Sequence, residues 1–222
     1  SEEITKLRRH GLDLAKSISS PMEAKLALEQ NPEFVQEVKV LAMGYVDEAV
    51  TSAKIPTIKG SKEWGTYQIE GIHIKKLHIT EDSLDVSITK QVTVTVSQVS
   101  ADFDEFTFLY DKTTFPKMED TGQASAQLVD LSSTISFEIV VDGEGMLTVD
   151  NVKATIKIGA LDVQVKAGNH KWLYNKLLKI FNERIKNTVE REVRKTVDKS
   201  VTALKQKMSE VTSVLSKKMA DA

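Results

Sequence analysis

The sequence contains no cysteine. That absence excludes a disulfide framework, thiol catalysis and a zinc site built on thiolates, and it favours a reducing compartment. The expected location is therefore cytoplasmic or peripheral at a membrane, with a secreted form left open. Helix breakers are scarce: the 222 residues include 4 prolines and 10 glycines, all at or before Gly168, so the last 54 residues contain neither. No apolar run reaches the length of a membrane-spanning helix, and the acidic start Ser1-Glu2-Glu3 has no apolar segment of the kind an uncleaved signal peptide requires. An excess of one charge is missing too. Thirty Lys and Arg against 32 Asp and Glu leave a net charge of −2, which gives no electrostatic reason to expect a nucleic-acid partner.

Catalytic signals are equally thin. The imidazoles are His10, His73, His78 and His170, and no two have a metal-ligand spacing. His73 and His78, five apart in a strand, are expected on opposite faces unless a bulge intervenes. Asp142-Gly143-Glu144-Gly145 lacks the Gly-Lys-Ser/Thr of a phosphate loop and reads as a hairpin turn. Asp150-Asn151-Val152-Lys153 lacks the alternating carboxylates and glycine of a calcium loop. The chain is expected to be no enzyme and to hold no metal or cofactor.

What is present is a change of period along the chain. In residues 1–53 the pattern is helical, with Ile4, Leu7, Leu12, Leu14 and Ile18 in one segment and Phe34, Val35, Val38, Leu41 and Val46 in another; Pro21 and Pro32 stand where helices restart. Residues 58–166 alternate apolar with polar, as in Val92 to Val96, Ile135 to Ile139, Ile156 to Ile158 and Val163 to Val165. These are about five antiparallel strands with one wet face, parted by turns at Thr80 to Ser83, Asp111 to Gly122 and Asp142 to Gly145. Residues 170–219 then form one long helix. Leu177, Phe181, Ile185, Val189, Val193, Val197 and Val201 recur every four residues, followed by Leu204, Met208, Val211 and Leu215. A spacing of four runs ahead of the 3.6-residue turn, so the stripe winds slowly and suits a twisted sheet. At roughly 70 Å the helix exceeds the width of a small domain, and its last third is expected to overhang, bend or meet a partner. The order of elements is α+β, and residues 1–222 are read as one domain.

Residues 171–222 hold 13 basic and 6 acidic side chains, leaving the rest of the chain acidic. Lys171, Lys176, Lys179, Lys186, Arg191, Arg194, Lys195 and Lys199 are either a solvated face or a means of steering toward anionic headgroups or an acidic partner. Five of the 13 aromatics fall at Phe103, Phe106, Phe108, Tyr110 and Phe115. The alternatives here are a core strand, or an aromatic strand and tip in which Phe103, Phe106, Phe108 and Phe115 face a membrane.

Three stretches resemble the tubular lipid-binding (TULIP) superfamily, which includes bactericidal/permeability-increasing protein and its relatives. One is Lys54-Ile55-Pro56 leading through Trp64-Gly65 into Tyr67-Gln68-Ile69-Glu70-Gly71-Ile72. Another is the meander from Leu84-Asp85-Val86-Ser87-Ile88 to Val96. The third is Asn169-His170-Lys171-Trp172-Leu173 continuing through Leu177 and Phe181 to Ile185, similar to the tryptophan-led helix that closes such barrels. The likeness spans roughly residues 40 to 200, leaves residues 1 to about 30 without a counterpart, and lacks the disulfide of secreted members. The length matches a single barrel module.

This resemblance implies a highly curved antiparallel sheet wrapped on the long helix, with acyl chains in a slot between them. Trp172, Phe181, Ile185, Val189, Val193 and Val197 would line it from the helix, and Val92, Val94, Ile135, Phe137 and Ile139 from the sheet. Inward positions are expected to be mostly Val, Ile and Thr. The expected ligand is a phospholipid or other acyl lipid, the expected activity lipid transfer or sensing, and a transient membrane surface an expected partner. The alternative reading is a scaffold whose overhanging helix pairs with a second copy or another helix through Leu204, Met208, Val211 and Leu215.

Overall fold

The computed structural model describes residues 20–166 and 171–221, apart from the side chains of residues 171–173. The expected helix at Ile4 to Ile18 and the side chain of Trp172 lie outside the described residues. Two short-range signals set the helices that precede the sheet. Ser20 caps α1 (Pro21–Glu29) by accepting from the Glu23 N–H at 3.2 Å, and Asn31 caps α2 (Pro32–Thr51) by accepting from Glu33 at 2.8 Å. In both, proline takes the first helical position, where its missing N–H costs nothing. Helix α2 buries Phe34, Val38, Ala42, Tyr45, Val46, Ala49 and Val50 along one face.

Among the described residues eight strands follow, more than the periodicity suggested: β1 (Ile58–Lys62), β2 (Gly65–Glu70), β3 (Ile74–His78), β4 (Leu84–Ile88), β5 (Val92–Phe103), β6 (Phe106–Lys112), β7 (Met118–Val141) and β8 (Leu147–Val165). All pairings are antiparallel. The extra count comes from interruptions. β5 and β6 run end to end beside β7, from the pair Val92 and Phe137 to the pair Lys112 and Met118. β2, β3 and β4 follow one another along the far side of β6 and β5, with β1 outside β2. β8 covers the other side of β7. Helix α3 (Lys171–Ala220), 50 residues and therefore about 75 Å long, crosses the inner face.

Bulges bend this sheet. Gln98 (φ 57°) and Asp130 (φ 61°) take the left-handed conformation, and the β5–β7 register slips beside them. As a result the inward parity changes from Val92, Val94 and Val96 to Val99, Ala101 and Phe103, and from Ala124, Ala126 and Leu128 to Leu131, Ser133 and Ile135. β8 changes parity at the same level, from Ile156 and Ile158 to Leu161 and Val163. A row of such irregularities increases local twist and folds a sheet over. A slip between Ile74 and Lys76 also leaves both His73 and His78 exposed on one side, where His78 Nε2 lies 2.6 Å from Asp102 Oδ2. The Asp142 turn is a hairpin, its Oδ1 accepting from the Glu144 and Met146 N–H groups at 2.9 and 2.8 Å.

Gly65 begins β2 pressed against β6. A Cβ there would lie 2.1 Å from the Asp111 carbonyl oxygen and 2.9 Å from Lys112 Cα. Those are backbone atoms of a paired strand and cannot swing aside. Gly65→Ala is expected to cost about 2–4 kcal/mol in a urea melt, within the range of other severe steric substitutions.

The helix does not overhang. Leu204, Met208 and Leu215 are buried and Val211 is half-buried. The last turns of α3 lie against α1 and α2, and Lys218 Nζ meets Glu33 Oε1 at 2.8 Å. The apolar seam read as a partner-helix surface is thus occupied by the chain's own helices α1 and α2. No local signal in the sequence tells where those helices fold back.

Candidate lipid-binding site

Helix α3 follows β8 through a series of ties. Asn182 Oδ1 accepts from the Val163 N–H at 3.1 Å, and Lys186 Nζ donates to the Gly159 carbonyl at 2.7 Å. Farther along, Lys205 Nζ meets Asp150 Oδ1 at 2.7 Å and Ser209 accepts from Thr148 at 3.1 Å. Between the first and last ties the stripe Ile185, Val189, Val193 and Val197 faces inward, with Leu177 and Phe181 ahead of it, all buried. Of the eleven slot residues expected from the sequence, the ten described ones are all buried on this interior.

On the sheet side the expected residues form a connected patch. Val92 pairs with Phe137 and Val94 with Ile135 across β5 and β7, while Ile139 pairs with Val149 of β8. The threonines expected among them point outward instead: Thr93 and Thr95 alternate with the buried valines. Among the described residues, the buried polar side chains other than tyrosine are Ser133, Thr188 and Thr212. Ser133 donates to the Thr155 carbonyl at 2.8 Å and Thr212 to the Met208 carbonyl at 2.8 Å.

The interior is graded along its length. Toward the start of α3 it is aromatic. The Phe181 ring lies 5.9 Å from Tyr67 and 5.5 Å from Phe108, Phe108 meets Tyr174 edge-on at 5.8 Å, and Trp64 lies 5.3 Å from Tyr110. Such tilted pairs add to the area they bury. Toward the middle it becomes small and aliphatic. Tyr174 Oη donates to Asp120 Oδ2 at 2.7 Å, and Tyr45 Oη donates to the Val197 carbonyl at 2.8 Å, tying α2 to α3. Burial raises the Tyr45 pKa above its ordinary value of 10.0. The folded state therefore holds this proton more tightly than the unfolded one, and stability present below pH 10 is expected to fall as pH rises beyond it. A Tyr45→Phe variant should show a shallower loss in melts above pH 10.

Tyr67 and Tyr174 were missed as interior residues, whereas Phe106, Phe108 and Tyr110 are buried as the core-strand alternative has them. A parity reading of Tyr67 and Ile69 would have found the first. Of the residues expected to face a membrane, Phe103, Phe106 and Phe108 are instead buried on the interior, where the parity of β5 and β6 turns them. Only Phe115, 96% exposed, stands free at the tip between β6 and β7. Part of the basic surplus on α3 is neutralised nearby: Arg194 meets Glu190 at 2.6 Å, and Arg191 and Lys195 share Glu192 at 3.0 Å each, which lowers the Glu192 pKa.

A cleft of about 710 Å³ opens at the aromatic end. Its lining includes Lys59, Gln68, Leu109 and Glu119, and also Gly60, Tyr67, Tyr110 and Asp120, which form one row across β1, β2, β6 and β7. None of the expected slot residues lines it. Among the described residues no helix is long and apolar enough to cross a membrane.

Comparison with solved structures gives the same architecture. The crystal structure of lipopolysaccharide binding protein superposes with a TM-score of 0.59 at 18% identity, covering 76% of this chain and 38% of that one. Takeout 1 of Epiphyas postvittana (TM-score 0.39, 12% identity, covering 78% of this chain and 91% of that one) and the solution structure of latherin (0.37, 11%, 90% and 91%) are also similar. This chain thus spans well under half of lipopolysaccharide binding protein. No curated protein sequence matches it. The family model described as "LBP / BPI / CETP family, N-terminal domain" matches residues 11–214, beginning inside the segment that the resemblance left without a counterpart. An open curved sheet closed by a long helix, together with that match over nearly its whole length, makes the chain a member of the LBP/BPI/CETP family and so of the TULIP superfamily.

Proposed function

We propose that this domain binds an acyl lipid without catalysing any reaction on it, shields the tail from water and delivers it between membranes. The observation that carries this reading is the composition of the interior. Between α3 and the sheet, Val189, Val193 and Val197 lie in the same apolar interior as Val92, Val94 and Ile135, and no charged side chain is buried among the described residues. Burial of each methylene is worth about 0.8 kcal/mol, so a tail of about 16 carbons gains on the order of 12 kcal/mol before ordering costs. Apolar lining suffices for that gain, and no reactive group is needed.

Access requires a seam that opens without breaking the sheet. β1 is paired on one side, to β2, and among the described residues no backbone hydrogen bond joins it to the neighbouring α3. Parting α3 from β1 leaves every ladder hydrogen bond intact. Family membership supports the ligand class. The lipopolysaccharide named for the larger relative is not carried over, because 18% identity and 38% coverage reach the fold only. The test is transfer of a fluorescent phospholipid from donor to acceptor vesicles. Transfer that rises in proportion to protein supports the reading, and a rate equal to that of vesicles alone contradicts it.

Phe115 is the contact we assign to the bilayer surface, since a bare ring at a hairpin tip beside Lys112 and Lys117 fits an interfacial wedge. Phe115→Asp is expected to lower vesicle association several-fold and leave the melting temperature unchanged, as measured by vesicle sedimentation and thermal unfolding.

A further inference from the structure

Tyr67 presents an anomaly. It is 3% exposed, and its hydroxyl is a buried side-chain polar atom without a hydrogen-bond partner. More than nine in ten buried polar groups in folded proteins are paired, so an orphan calls for a cause. Two other buried tyrosines are satisfied across elements, Tyr45 of α2 by the Val197 carbonyl of α3 and Tyr174 of α3 by Asp120 of β7. A phenylalanine at position 67 would pack against Phe181 as well and carry no unpaired oxygen.

Its surroundings are arranged around that oxygen. Tyr67 is paired directly with Gly60 on edge strand β1, and a Cβ at Gly60 would lie 2.1 Å from Tyr67 Cζ and 2.2 Å from Oη. The hydroxyl end of the ring therefore rests across the one position in β1 where a side chain would displace it. That position is at the sheet edge facing the seam with α3, and Gly60 and Tyr67 both line the 710 Å³ cleft. The ring itself packs against Phe181, with centroids 5.9 Å apart.

We propose that Tyr67 is the polar anchor for the bound lipid, its Oη–H donating to the carbonyl oxygen at the head of an acyl chain, ester or free acid, lodged at the seam between β1 and α3. This rests on the lipid-binding reading above and adds to it a site for the oxygenated end of the ligand. Apolar burial grips all chains of one length alike. A single buried donor discriminates in favour of the chain that brings an acceptor to it.

The test uses three 16-carbon probes, methyl palmitate, palmitic acid and 1-hexadecene, binding to the full chain by displacement of a fluorescent apolar dye. Tyr67→Phe removes one oxygen that has no partner, so its melting temperature should not fall. It should weaken the ester, the acid or both by about five- to thirtyfold and leave the hydrocarbon unchanged. Loss confined to the ester identifies an ester lipid as the source, and loss confined to the acid a free fatty acid. Gly60→Ala, which pushes the ring aside, should reproduce the selective loss. Equal affinities of wild type and Tyr67→Phe for both oxygenated probes, as expected if water alone satisfies the hydroxyl, would overturn the assignment and spare the lipid-binding reading. An equal loss on all three probes would overturn it too. Failure of wild type to bind any probe would overturn both.

Discussion

Val193→Trp is expected to abolish retention of a long-chain lipid while the domain stays folded. Val193 is 0% exposed, one turn from Val189 and Val197 on the inward stripe of α3. In a rigid core an indole at such a place forces neighbours off their rotamers, at about 1–3 kcal/mol or more. Where helix and sheet part to admit a tail, the indole takes up space the tail needs. Excluding even four methylenes removes about 3 kcal/mol of burial, on the order of a hundredfold in affinity. Thermal unfolding and lipid binding measured on the same sample separate these cases. A shift of a few degrees with lipid lost is the expected result. A variant that unfolds, or one that keeps its lipid, would mean the stripe is plain core.

Truncation after Ser200 should have the largest effect on stability. It removes Leu204, Met208 and Leu215, each at most 5% exposed, together with the ties to Asp150, Thr148 and Glu33. Each lost apolar residue costs about 2–5 kcal/mol, so the sum rivals the 5–15 kcal/mol that holds a typical domain folded. The shortened chain should lose its cooperative melt and expose the faces of α1 and α2 centred on Leu28 and Phe34. A native-like transition in the truncated protein would show that the end of α3 does not cover those helices.

Local signals were readable in the sequence because they act over a few residues. Pro21 and Pro32 do begin helices, Asp142 does organise a hairpin turn, and the spacing of four from Leu177 to Val197 does lie on the buried face. The curved sheet closed by a long helix followed from the order of those signals together with the family resemblance. What escaped was set by distant contacts. Nothing near Leu204 reveals that α1 and α2 will cover it, and only residues far away in sequence decide that Phe108 meets Phe181 and Tyr174. The bulges at Gln98 and Asp130 escaped for another reason. Neither is a glycine, so the left-handed backbone that reverses the parity of β5 and β7 leaves no mark in the residue type. The unpaired hydroxyl of Tyr67 escaped because an unmet hydrogen bond can be recognised only once every neighbour is placed.

Native mass spectrometry of the purified protein, followed by organic extraction of the same preparation, tests most directly whether the space under α3 accepts a lipid. A species heavier than the bare chain by the mass of one or two acyl lipids, recovered by extraction and missing from Val193→Trp, is the expected result. A single species at the mass of the chain alone, unchanged after incubation with phospholipid vesicles, would contradict it.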